Sequence, residues 1–139
     1  MKIVVGLVEK IRVKGKTSVK TIAKFDTGAK GNSIDIKLAA KAGVGPVVGS
    51  TKVTSASIAG FKRRAVVEVV FEIKGKLFRT RANLEDRSHL KYPVLLGRKL
   101  IYSNFIVDVE RHHGTYKEDD IKPKFRKKYK NIIKELNLR

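Results

Sequence analysis

The stretch Ala23-Lys24-Phe25-Asp26-Thr27-Gly28-Ala29-Lys30 decides how this chain is read. The run from Val19 to Phe25 has strand character, and it delivers a carboxylate into a hydroxyl-glycine turn. Gly28 lets the backbone turn sharply and lets amide N–H groups approach a carboxylate. Thr27 offers a hydroxyl that can lock the loop. An ordinary surface turn uses the same residue types. Asp-Thr-Gly arises by chance in roughly a few per cent of chains this long, so the tripeptide gains meaning only from its companions. The chain holds one copy. Chemistry that needs two such carboxylates therefore needs two chains.

Two companions follow. In Pro93-Val94-Leu95-Leu96-Gly97-Arg98 the bulky apolar residues before a glycine suit a strand that packs under the Asp26 loop. Ser57-Ile58-Ala59-Gly60-Phe61 lies between two strand-like runs and predicts a hairpin tip, a candidate flap over substrate. Either alone would be a core strand or a surface hairpin.

Taken in order, the Asp-Thr-Gly-Ala turn, the glycine-tipped hairpin and the apolar-apolar-Gly-Arg segment resemble the retropepsin family over about residues 1–110. These are single-domain aspartic proteases that work as homodimers. Three further stretches carry a closer resemblance: Ala23 to Lys30, Leu84-Glu85-Asp86-Arg87-Ser88-His89-Leu90-Lys91-Tyr92-Pro93 running into Arg98, and Phe105-Ile106-Val107-Asp108. They are similar to a bacterial and archaeal retropepsin-like group labelled "ATP-dependent zinc protease". Some members of that group accompany ATP-grasp ligases that add glutamates to a ribosomal protein. One departure stands out. The group often has a hydroxyl residue two positions before an apolar one after the alanine; here Asn32 stands two before Ile34, and Ser33 comes one later.

The resemblance implies an all-β acid-protease barrel, with a short helix after the Gly-Arg segment. It implies Asp26, Thr27 and Gly28 as catalytic residues, and substrate contacts from Ala29, Ile58, Ala59, Gly60, Leu96, Gly97 and Arg98. It implies a C2 homodimer with Met1 to Val5 and Phe105 to Val109 in the interface. The label's metal and nucleotide find no motif: there is no His-Glu-x-x-His and no phosphate-binding glycine loop. His112 and His113 are adjacent and point apart on a strand. We expect no metal and no cofactor.

Composition bounds the rest. A chain of 139 residues predicts one domain with a real core. No apolar run reaches membrane-spanning length. The start, Met1 to Val8, meets Glu9 and Lys10 too soon for a signal peptide, which favours the cytoplasm. There is no cysteine, so there are no disulfides or thiolate chemistry. Local patterns predict strands at Ile3-Val4-Val5, Ile11 to Lys14, Thr17 to Phe25, Thr51 to Ile58, Ala65 to Ile73, Leu77 to Leu84, Val94 to Leu96 and Asn104 to Val109. Lys74-Gly75-Lys76 is a hairpin turn, and Ile36 to Ala42 a helix ending at Gly43.

We divide the chain into a protease-like domain, 1–113, and a basic tail, 114–139. In the tail Phe125, Tyr129, Ile132, Ile133 and Leu136 have helical spacing. The net charge is +19, and residues 117–139 account for only +5 of it. The basic body suits acidic or glutamate-rich peptides as substrate, or a contact with RNA or the ribosome. The alternative function is thus a basic RNA- or ribosome-binding module with a protease-like fold and little activity.

Overall fold

The computed structural model describes residues 1–54 and 60–111. Its first strands are β1 (Ile3–Val5), β2 (Val8–Lys14), β3 (Ser18–Phe25) and β4 (Asn32–Asp35). Helix α1 (Ile36–Ala42) leads to β5 (Val47–Val53), β6 (Lys62–Ile73) and β7 (Lys76–Glu85). Strand β8 (Val94–Leu96), helix α2 (Arg98–Ile101) and β9 (Phe105–Val107) complete it.

The large sheet has the order β2-β3-β8-β4-β7-β6-β5, and an added β2–β6 pairing closes six of these strands into a barrel. Alternation drives closure. On β6, Val67, Val69, Phe71 and Ile73 all point inward, while the residues between them stay part-exposed. They meet Ile11, Val13, Phe25, Ile34, Val94 and Leu96 in one core. Burying a side chain of this size stabilises by about 1.5–3 kcal/mol. The β6–β7 turn places Lys74 and Gly75 at φ of 53° and 78°, the left-handed pair that a two-residue hairpin requires.

Helix α1 has the bounds expected from the sequence. Asp35 caps it by accepting from Leu38 N–H at 3.2 Å, and Gly43 ends it at φ 68°. Two expectations need correction. Strand β5 lies at Val47–Val53 and not at Thr51 to Ile58. It is an edge strand with most residues exposed, so burial left no alternation to find. Strand β4 was not expected at all. It is short and polar, yet it runs between β8 and β7 in the middle of the sheet.

The expected chain-end strands pair with each other: β1 and β9 form a parallel two-stranded sheet, Ile3 opposite Phe105. Among the described residues no helix is long and apolar enough to cross a membrane. The expected tail helix and the residues at the hairpin tip, 55–59, lie outside the described residues.

Candidate active site

Strands β3 and β8 run parallel, with Phe25 opposite Leu96, and both end at the same edge of the barrel. The buried Phe25 is fixed from behind by its N–H bond to Leu7 O at 2.8 Å. The next residue, Asp26, donates its N–H to Leu96 O at 2.7 Å. The strand predicted to pack under the loop does so. From there the chain turns, with Ala29 N–H donating to Asp26 O at 3.2 Å. Asp26 and Ala29 are half-buried, while Thr27 and Gly28 are exposed. The loop is therefore open to solvent at its tip and held at its base.

Among the described residues, one hydrogen bond falls on that carboxylate: Gly28 N–H donates to Oδ1 at 2.8 Å. A Cβ at Gly28 would stand 3.1 Å from the same oxygen. Glycine thus permits the approach expected from the sequence. The Thr27 hydroxyl has no recorded partner among the described residues; its carbonyl does, accepting from Arg98 Nη1 at 3.0 Å.

The Gly97-Arg98-Lys99 backbone clasps the loop. Arg98 N–H donates to Ala29 O at 2.8 Å and Lys99 N–H to Lys30 O at 3.0 Å. Gly97 N–H donates to Asn32 Oδ1 at 2.9 Å. Three successive amides at the start of α2, which helix geometry leaves without internal partners, are spent on residues 29–32. A Cβ at Gly97 would overlap the backbone oxygen of Gly31 and lie 2.8 Å from that of Ala29. No other residue fits without moving the loop.

Asn32 is the residue the sequence reading missed as a site element. It is 3% exposed, and its Nδ2 donates to Thr80 Oγ1 at 3.2 Å and Arg81 O at 3.0 Å. One amide thereby joins α2 to β7 beneath the loop. The Asn32 backbone carbonyl accepts from Asn83 Nδ2 at 3.0 Å, and Ser33 Oγ donates to Asn83 Oδ1 at 3.0 Å. The signal was present as the departure at Asn32-Ser33, where polar residues occupy a buried strand.

A second polar cluster holds the 86–93 loop that leads into β8. Arg87 Nη1 meets Glu85 Oε2 at 2.7 Å, and Arg64 Nη2 meets Glu85 Oε1 at 3.2 Å. Arg87 Nε also donates to Tyr92 O at 2.8 Å, and its backbone N–H to Asp35 Oδ1 at 2.8 Å. On the same loop the Ser88 hydroxyl donates to Asp86 at 2.6 Å and the Ser88 N–H at 3.1 Å. These bonds hold the Asp86 carboxyl below its ordinary range, hydroxyl first, with His89 and Lys37 adding to the effect.

The structure therefore brings Asp26, Thr27, Gly28 and Ala29 together with Leu96, Gly97 and Arg98. Gly60 is exposed in the β5–β6 connection at φ 87°, and among the described residues no hydrogen bond joins it to the loop. Ile58 and Ala59 lie outside the described residues.

Comparison with known proteins bears on the fold and the family. Protein Lpg0085 of Legionella pneumophila, of unknown function, superposes with a TM-score of 0.57 at 24% identity, over 84% of this chain and 100% of that one. The EIAV protease, solved with the inhibitor HBY-793, gives 0.55 at 17% identity, over 68% of this chain and 83% of its own. The simian foamy virus protease gives 0.50 at 16% identity, over 68% and 90%. At these identities the likeness establishes the fold. No curated protein matches the chain. A family profile described as "Retropepsin-like aspartic endopeptidase RimB" matches residues 44–118, just over half the chain. That window begins after the Asp26 loop and holds the Gly97-Arg98 clasp, so loop and profile are independent observations. With the barrel and the profile in agreement, the chain belongs to the RimB-like family of retropepsin-like aspartic endopeptidases.

Proposed function

We propose that this protein is an aspartic endopeptidase that acts as a C2 homodimer, with one Asp26 from each subunit in a shared site. The observation that carries the reading is the single Asp26 carboxylate, fixed by Gly28 at the end of β3 and clasped from the start of α2. One carboxylate cannot serve as base and acid in the same step. A two-fold axis through the loop supplies the second with no new residue.

In that dimer two close carboxylates cannot both ionise, so they hold one proton between them, as in known aspartic proteases. The ionised member takes a proton from water, whose oxygen attacks the scissile carbonyl carbon. The protonated member donates to the carbonyl oxygen. Collapse of the tetrahedral species breaks the C–N bond, and a proton passes to the leaving amine. Thr27 joins the two loops across the axis. The hairpin that includes Ile58, Ala59 and Gly60 closes over substrate and excludes water. Ala29 and Leu96 to Arg98 form the floor.

The chain ends support the interface. Met1, Ile106 and Val109 are exposed apolar residues on or beside the β1–β9 sheet. The +19 charge favours acidic peptides, glutamate-rich ones included. The test replaces Asp26 with Asn and follows cleavage of a peptide library, with sedimentation for the assembly state. The expected outcome is a dimer that no longer cuts; retained cleavage in a pure Asp26→Asn sample sinks the proposal.

A further inference from the structure

Away from the Asp26 loop, β2, β3, the β6–β7 turn and the loop before β8 line an open groove on the barrel wall. Lys10 lies opposite Ile22, and Arg12 opposite Lys20, in the antiparallel register. These four share the outward face, while Ile11 and Thr21 alternate toward the core. Arg12 is engaged with the one carboxylate in the lining, Glu72, at 3.8 Å, and Lys74 with Glu9 at 3.2 Å. Lys10 and Lys20 are exposed, and among the described residues neither has an ion-pair partner.

The last described residue, Arg111, sits beside the strand that carries Lys10. Its carbonyl accepts from Leu7 N–H at 2.9 Å, one residue before β2 begins. Along β2, Lys10 lies about 10 Å from Leu7, and Arg12, with Lys20 opposite, about 17 Å from it. Seven residues after Arg111 the sequence reads Glu118-Asp119-Asp120, the one place in this chain where three carboxylates are consecutive. Seven residues span at most about 25 Å, so the acidic run can reach both lysines of its own chain.

We infer that the Glu118-Asp119-Asp120 segment docks on this face of its own chain, with its carboxylates against Lys10 and Lys20. Charge complementarity and the tether select this occupant. A short linker holds the segment at an effective concentration in the millimolar range. A polyanion free in solution has no such advantage. The lysines stay exposed to solvent, so each ion pair is weak and the contact is sensitive to salt. Asp26 is not part of the groove, and the inference does not depend on peptidase activity.

The test uses the full chain. Because it has no cysteine, Ile121→Cys carries a single nitroxide label beside the acidic run and removes no carboxylate. At about 0.1 M salt the amide signals of Lys10, Lys20 and Ile22 should broaden, while those of Thr51 and Lys62 stay sharp. Lys62 is ten residues along β6 from Glu72, about 33 Å away. Raising salt to about 1 M, which shortens the screening length from about 10 to about 3 Å, should remove the broadening. Glu118→Gln/Asp119→Asn/Asp120→Asn should remove it at low salt, and so should Lys10→Glu/Lys20→Glu. Adding Glu118→Lys/Asp119→Lys/Asp120→Lys to the latter should restore it. Lys52→Glu/Lys62→Glu changes net charge as much as the groove variant and should leave it intact. Dispersed amide spectra check that every variant is folded. Broadening that survives neutralisation of the acidic run, or that is lost equally in Lys52→Glu/Lys62→Glu, would overturn the assignment. A mixture of nitroxide-bearing chains with nitrogen-15 chains that lack the label reports contacts between chains alone. Equal broadening there would put the segment on a neighbouring chain and overturn docking within one.

Discussion

Gly97 N–H donates to Asn32 Oδ1 at 2.9 Å across sixty-five residues of sequence. This bond joins the start of α2 to the strand that follows the Asp26 loop. The same side chain reaches β7, so one buried amide sets how α2, β4 and β7 meet beneath the loop.

Asn32→Leu should leave Gly97 N–H buried without an acceptor. The cost should be about 1–3 kcal/mol, read from denaturant unfolding. Asn32→Asp keeps the acceptor and should lose less. Equal stabilities for the parent and Asn32→Leu would show that the bond contributes nothing.

Gly97→Ala places a methyl group against Gly31 O and Ala29 O. Both are backbone atoms and cannot swing away. The substitution should destabilise by about 1–3 kcal/mol, the range for overpacking. In a peptide-cleavage assay it should depress kcat more than Arg98→Ala, which removes only the side-chain bond to Thr27 O. A fully active Gly97→Ala would mean that the loop tolerates displacement.

Phe105 is 4% exposed, with Phe25 at 5.1 Å in an edge-to-face arrangement and Phe78 at 4.9 Å. It fastens β9 to the strand that carries Asp26. Phe105→Ala should cost about 3–5 kcal/mol, through lost burial and the cavity left behind. Thermal unfolding measures this, and Phe105→Leu should recover part of it.

The lowered Asp86 carboxyl gives a pH dependence with a definite sign. Because the folded-state value lies below the unfolded one, the contribution of the Asp86–Ser88 turn is present above the ordinary carboxylate range. It fades as pH falls through the lower, folded value. Carboxyl-detected NMR titration should find the Asp86 midpoint below that of an ordinary aspartate. Ser88→Ala should raise it, because the Ser88 hydroxyl is the largest cause. No change in Ser88→Ala would assign the effect elsewhere.

Much of the barrel was legible because local rules and the fold agree. The alternation of Val67, Val69, Phe71 and Ile73 marks a strand with one buried face. Gly75 marks its turn, and Gly43 the end of α1. Strand β5 was displaced in the reading because its residues stay mostly exposed, which erases alternation. Strand β4 was invisible because its Asn32 and Ser33 are buried polar residues, tolerable only where partners from β7 and α2 wait for them.

By itself, the sequence determined the chemistry on offer: one Asp-Thr-Gly, a Gly-Arg segment after an apolar run, a surplus of lysine and no thiol. Those follow from residue identity and short-range pattern. Only the tertiary structure decided that the backbone amides of Gly97, Arg98 and Lys99 clasp residues 29–32, that Asn32 lies beneath the Asp26 loop, and that Lys10 and Lys20 lie beside Lys74 and Lys91. The physical reason is barrel closure. Hydrogen-bond register and side-chain burial bring together residues scores of positions apart, and no local propensity records which ones will meet.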